Sequence, residues 1–300
     1  MTDFLQLCFN GIALGCIYAL IGLGFAIIFK ASEVINFAQG EFLLVGAYVV
    51  GSAYNDWHLN FLLAVLIGIV VTAAIGILFE RTVLRRMIGR PVFSILMITI
   101  GLDTLLLEGV SVFFGTNQRP AAVTDALTAT PSIGGVVFPA DHIWAIVVTA
   151  LICVLLFIFL RFTRYGLAMR ATAIDQEAAL AMGINIRNVY ALAWAIAGVV
   201  ATIGGVFLAI YGNRSLLPTM GSTALLAFPA IILGGLDSVS GAVIGGILIG
   251  LAQLLTARYQ SNFTSFLGDN VQQITPYILM LIILLIRPYG LFGKRKVERV

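Results

Sequence analysis

FLQLCFNGIALGCIYALIGLGFAIIF, residues 4–29, is a run of 26 residues without a charge, bounded by Asp3 and Lys30. A membrane-spanning helix needs about 20 such residues, so this run is long enough to cross a bilayer. A cleavable signal has a basic start and a shorter apolar core. Here only Asp3 precedes the run, which is therefore expected to stay as a span.

The rest of the chain has the same character. Of 300 residues, 60% are hydrophobic and 10% charged, against about 25% charged in an ordinary soluble domain. The mean hydropathy is +1.05. The expected class is an all-α polytopic membrane protein, one transmembrane domain over residues 1–300. The second apolar run, residues 42–54, has only 13 residues, about 20 Å of helix, too short for a hydrocarbon core of about 30 Å. Either Asn36, Gln39 and Glu41 enter the membrane with it or the segment around 31–54 is broken. Further spans are expected at 61–79, 92–114, 143–160, 190–210, 241–257 and 274–286. A short run at 222–235 carries Pro229 and is expected to be interrupted or tilted. The total is about nine crossings, within a range of about eight to ten.

Basic residues orient this map. With the loop 161–189 placed in the cytoplasm, that side holds Lys30, Arg81, Arg85, Arg86, Arg90, Arg161, Arg164, Arg170, Arg187, Arg287, Lys294, Arg295, Lys296 and Arg299, which is 14 of the 17 Lys and Arg. Only Arg119, Arg214 and Arg258 fall outside, the asymmetry of the positive-inside rule. The amino terminus is thus expected outside and the carboxyl terminus in the cytoplasm. Topology accounts for the basic tail without a nucleic-acid partner.

The cytoplasmic loop itself reads RFTRYGLAMRATAIDQEAALAMGINIRNV. Thr172 and Asp175 give the hydroxyl-x-x-acid pattern of a helix start, and Gly183 suits a left-handed helix end. One short helix over 172–183 is expected. Its inner residues Glu177, Ala178, Ala179, Leu180, Ala181 and Met182 present mostly small side chains, a shape that fits a groove on another protein.

Candidate chemistry is sparse. There is no phosphate-binding G-x-x-x-x-G-K-[ST] loop, no H-E-x-x-H and no G-x-S-x-G, so uphill transport driven by ATP would need another chain to hydrolyse it. Cys8, Cys16 and Cys153 lie in apolar runs as packing residues, with no metal-ligand spacing, and no cofactor is implied. His58 and His142 fall in short polar connections. INFAQGE, residues 35–41, is the best candidate for solute contact: on a helix Asn36, Gln39 and Gly40 share a face and Glu41 projects elsewhere. An ionisable group at membrane depth is a functional candidate. Asp103 and Glu108 lie five apart, about 140° around a helix, and form no carboxylate pair by themselves. Gly11 with Gly15, Gly241 with Gly245 and Gly246 with Gly250 are small-xxx-small pairs that allow close helix packing.

Several of these stretches together resemble one family. Glu177-Ala178-Ala179 followed by Gly183 is similar to the EAA-x-x-x-G loop of ABC importer permeases. INFAQGE, LGGLDSVSGAVIGG and the closing RPYGLFG resemble elements of the permeases for branched-chain amino acids, the LivH type, in the same order along nearly the whole chain. The resemblance implies a bacterial inner-membrane subunit paired with a second permease of the LivM type, two cytoplasmic ATP-binding subunits and a periplasmic solute-binding protein. Thr172, Asp175, Glu177, Ala178, Ala179, Met182 and Gly183 would then form the helix seated in an ATPase groove, and Asn36, Gln39, Gly40 and Glu41 would lie on the translocation path. Gln39 stands where the family commonly has His; Gln keeps a donor and an acceptor but cannot take a charge. Related permeases serve urea, short amides and other amino acids, so the solute stays open. An ion-coupled carrier or channel using Glu41, Asp103 or Glu108 is the competing class, but it has no need of a capped cytoplasmic helix.

Overall fold

The computed structural model describes residues 2–87, 90–260 and 270–293. Twelve helices run through them: α1 (Thr2–Ser32), α2 (Gln39–Asn55), α3 (Phe61–Thr82), α4 (Val92–Phe114), the single turn α5 (Asp125–Thr128), α6 (Ala140–Phe162), α7 (Arg164–Ile174), α8 (Gln176–Ala181), α9 (Ile186–Ile210), α10 (Met220–Gly234), α11 (Val239–Tyr259) and α12 (Val271–Ile286). Among the described residues six helices, α1, α3, α4, α6, α9 and α11, are long and apolar enough to cross a membrane, while α10 and α12 are apolar but shorter. Leu62, Leu66 and Val70 on α3, Leu105, Val112 and Phe113 on α4, and Leu151 and Leu155 on α6 are exposed. In water such a surface would aggregate; in lipid it is the natural exterior. The chain is a multi-pass membrane protein.

The bundle has two polar ends. At one, which we call the Asn10 end, Gln6 donates to the Val137 carbonyl at 2.7 Å, His142 Nδ1 lies 3.2 Å from Asn10 Oδ1, and Arg119 pairs with Asp56 at 2.6 Å. There β1 (Arg119–Pro120) pairs antiparallel with a strand at Ser215–Leu216, tying together the loops before α6 and α10. At the other, the Lys30 end, Lys30 donates to the Asp237 carbonyl at 3.3 Å and Arg85 pairs with Glu80 at 3.4 Å. Lys30 and the described arginines of the basic loops cluster at this second end, and Arg119, Arg214 and Arg258 at the first. Lys294, Arg295, Lys296 and Arg299 lie outside the described residues.

Packing reveals a repeat that the sequence hides. α1 packs on α11 as α9 packs on α3; α2 touches α3 and α4 as α10 touches α11 and α12; and α2 and α10 meet each other. α1 runs from the Asn10 end to the Lys30 end and α9 runs the opposite way, and the helices that follow each keep this inversion. This is the inverted-repeat arrangement of many transporters, in which short discontinuous helices lie at the repeat interface. The two equivalent starts, Ala38-Gln39-Gly40-Glu41 and Thr219-Met220-Gly221-Ser222, share only a glycine.

Both expectations for the short segments need adjustment. The chain breaks after α1 and Asn36, Gln39 and Glu41 are also all buried, so the two alternatives for residues 31–54 hold together. α10 is not interrupted at Pro229. Proline removes the N–H that would bond the carbonyl four residues earlier, and the Leu225 carbonyl accepts instead from the Tyr277 hydroxyl of α12 at 3.4 Å. At its far end the Leu233 and Gly234 carbonyls accept from Leu291 and Phe292 N–H at 2.8 and 3.0 Å. The closing RPYGLFG is therefore a strap over the end of α10.

Glycines set the α1–α11 contact. A Cβ on Gly246 would sit 2.7 Å from both Ala19 N and Gly15 O, backbone atoms that cannot turn aside. Gly246→Val is expected to destabilise the fold by about 3 kcal/mol or more through overpacking, seen as a lowered thermal midpoint and loss of the monodisperse peak in detergent. Gly101→Val, with nothing within 4 Å, should leave both near wild type.

Candidate functional site

Two places carry the polar side chains singled out above. The first is the junction of the half-helices. α2 and α10 are 17 and 15 residues long, about 25 and 22 Å at 1.5 Å per residue, and each begins inside the bundle. Their first turns touch: a Cβ on Gly40 would overlap the Gly221 carbonyl, and one on Gly221 would overlap the Glu41 carboxylate. Glycine is required at position 40 because backbone lies directly against it, and at position 221 because the Glu41 carboxylate fills the space a side chain would take.

Of the residues expected to share a face, Asn36 and Gln39 do meet, the Asn36 amide donating to Gln39 Oε1 at 3.5 Å, while Gly40 turns to α10. Asn36 lies before α2, not on it, because the helix starts at Gln39. Its Oδ1 accepts from Ala38 N–H at 3.1 Å, holding the turn that aims α2. Gln39 points to α1 and α9: its amide donates to the Ala197 carbonyl at 3.3 Å and fills the space left by Gly24. Gly40 and Glu41 face α10. Asn36 and Gln39 are fully buried and Glu41 is 5% exposed. Glu41 Oε2 has no hydrogen-bond partner, and among the described residues Glu41 makes no ion pair. Asp103, half-buried on α4, is close enough for its charge to act on Glu41, whereas Glu108 is exposed. Gly221 was not apparent from the sequence; its only signal is a Pro-Thr-Met-Gly-Ser run ahead of an apolar stretch.

The second place is the elbow at the Lys30 end. The single helix expected over 172–183 is two helices, α7 and α8, meeting at Asp175 in an extended conformation, φ −157°. Asp175 caps α8, its Oδ1 accepting from Ala178 N–H at 2.9 Å. Thr172 is not the cap. It is buried one turn earlier, donating back to the Ala168 and Met169 carbonyls of α7 at 3.1 and 2.9 Å. Gly183 has φ +81°, with Gly183 N–H on Leu180 O and Ile184 N–H on Ala179 O at 2.9 and 3.0 Å, a Schellman end. Ala179 is buried against the bundle, while Ile174 and Met182 are 87% and 83% exposed. The outward face thus carries Met182, as expected beside the small residues, and in addition Ile174 from the end of α7.

The family model for the branched-chain amino acid transport system permease component matches residues 7–286. The chain belongs to this permease family. It is 31% identical to the high-affinity branched-chain amino acid transport system permease protein BraD of Pseudomonas aeruginosa, over 99% of this chain and 98% of BraD. It is 32% identical to the permease protein LivH of Escherichia coli, over 99% and 98%. It is 27% identical to the probable branched-chain amino acid transport permease LivH of Methanocaldococcus jannaschii, over 91% and 88%. The permease is thus matched end to end, and both the junction and the elbow fall inside the matched residues.

Capping at the elbow of this permease can be checked directly. Asp175→Ala should weaken α8 by about 1 kcal/mol, raising the exchange rate of the Ala178 amide about five-fold. Thr172→Ala should leave that amide unchanged, and hydrogen exchange on the protein in nanodiscs reads both.

Proposed function

We propose that this chain is the permease subunit of an ATP-driven importer for the branched-chain amino acids Leu, Ile and Val, delivered by a periplasmic binding protein. Its amino terminus lies outside and its carboxyl terminus in the cytoplasm, and the short helices α2, α10 and α12 complete about nine segments in the membrane. The observation that carries the reading is the full-length match to permeases named for branched-chain amino acid transport. The clustering of basic residues at the Lys30 end supports the orientation.

In this reading α8 is the coupling helix, held by two cytoplasmic ATP-binding subunits, with a LivM-type permease as the second membrane subunit. A capped helix with Ile174 and Met182 exposed can seat in a partner's groove, and the elbow at Asp175 transmits displacement into α7, which packs on α1, α6 and α9. ATP-driven closure of the ATPases would then change the angle between the permeases and open the junction of α2 and α10 alternately to each side. Urea or a short amide is the alternative solute within the same class.

Gly183→Val forces a β-branched residue to positive φ, where L residues pay about 1–2 kcal/mol. It should loosen the end of α8, cutting co-purification with the ATP-binding subunits and uptake into proteoliposomes at least several-fold while membrane insertion is retained. Wild-type uptake with Gly183→Val and with Glu177→Lys would remove α8 from the coupling role. Ligand screening of the binding protein encoded beside the permease tests the solute, with a urea or amide ligand overturning the amino-acid assignment.

A further inference from the structure

The Glu41 carboxylate is unexplained by the fold. A neutral glutamine would fill the same space against Gly221, yet an acid stands there, almost wholly buried, with Oε2 unpartnered. The charge that acts on it is another acid, Asp103. Burying a carboxylate without a cation is costly, and such a group at membrane depth is a functional candidate by default.

Facing it is the start of α10. The residue before that helix, Thr219, makes no side-chain cap, and the Ser222 hydroxyl donates to the Thr219 carbonyl at 2.6 Å instead of accepting from the helix start. The first amides of a helix lack intrahelical partners and carry the positive end of its dipole. At Gly221 there is no side chain between those amides and the carboxylate. A positive helix end and a negative side chain therefore lie together at the interface of the two repeats, in van der Waals contact and inside the bundle.

We propose that this pair is a subsite for the zwitterionic backbone of an α-amino acid, with Glu41 taking the ammonium and the first turn of α10, at Gly221 and Ser222, taking the carboxylate. The proposal rests on the transport reading above and deepens it. In this structure the Glu41 carboxylate lies against Gly221 in the first turn of α10. When the half-helices part, the solute's carboxylate replaces Glu41 at the amides of α10, and the released Glu41 pairs with the ammonium beside it. The solute ammonium supplies the counter-charge that Glu41 lacks among the described residues, and a molecule carrying an ammonium and a carboxylate on one carbon meets both requirements at once. Urea and neutral amides carry neither.

The test uses the intact importer complex in nanodiscs without the binding protein, titrated with L-leucine, with 4-methylpentanoate, which lacks the ammonium, and with urea. Wild type is expected to bind leucine about tenfold or more tighter than 4-methylpentanoate, since charge-assisted hydrogen bonds are the strong ones. In Glu41→Gln leucine should fall to the level of 4-methylpentanoate, whose own affinity does not fall. Glu41→Asp, which keeps the charge, should keep the preference. Equal weakening of both ligands in Glu41→Gln, unchanged leucine binding, loss of preference in Glu41→Asp, or no binding of any of the three by wild type would each overturn the subsite. Wild-type binding of urea with no binding of leucine would instead overturn the amino-acid reading on which it rests.

Discussion

The contact of Gly40 with Gly221 is the constraint around which the other helices are arranged. Two helices too short to span a bilayer must each leave one end inside it, and a helix end in hydrocarbon exposes N–H groups that nothing in lipid can satisfy. Enclosing both starts between α1, α9, α3 and α11 removes them from lipid. That enclosure explains why α1, a first helix that in many membrane proteins would face lipid, is one of the most buried elements here. It also explains the density of close glycine contacts along α1, α9 and α11: the full-length helices must approach closely to seal the ends of the short ones.

Buried polar side chains support the same enclosure. Thr72 on α3 donates to the Gly198 carbonyl of α9 at 3.1 Å and lies 2.7 Å from the Thr202 hydroxyl, and Gln39 joins α2 to α9. Across the repeat, Tyr18 donates to Gln253 at 2.7 Å between α1 and α11. Each repeat thus has its long helix fastened to the third helix of the other by hydrogen bonds as well as by packing. In a bilayer, where apolar contact between helices has little advantage over contact with lipid, such bonds hold helices in register.

The all-α membrane class and the long apolar helices were legible in the sequence because they depend on length and composition: an uncharged run of 26 residues has few alternatives. The positions of the short helices were legible for the same reason. Their meeting was not, since Gly40 and Gly221 are far apart in the chain and their neighbourhoods share no side-chain pattern. The Thr172 error has a local cause. A threonine three residues before an acid reads as a cap, but inside a helix its hydroxyl can bond back to the preceding turn, and Asp175 then caps the next helix. Of the shared face drawn for Asn36, Gln39 and Gly40, the meeting of Asn36 with Gln39 holds, while Gly40 faces α10 because the helix starts only at Gln39.

The strap formed by the last described residues bears on how α10 can move. Leu291 and Phe292 fasten the α10 carbonyls at the Lys30 end at 2.8 and 3.0 Å, while toward its other end the Tyr277 hydroxyl holds the Leu225 carbonyl by one longer bond of 3.4 Å. A rod held more firmly at one end than at the other can act as a lever. With α10 about 22 Å long, a rotation of about 10° at the strap would carry the Gly221 end through about 4 Å, roughly the width of an amino-acid backbone. Motion generated at the Lys30 end would thus be enlarged at the place where the half-helices part.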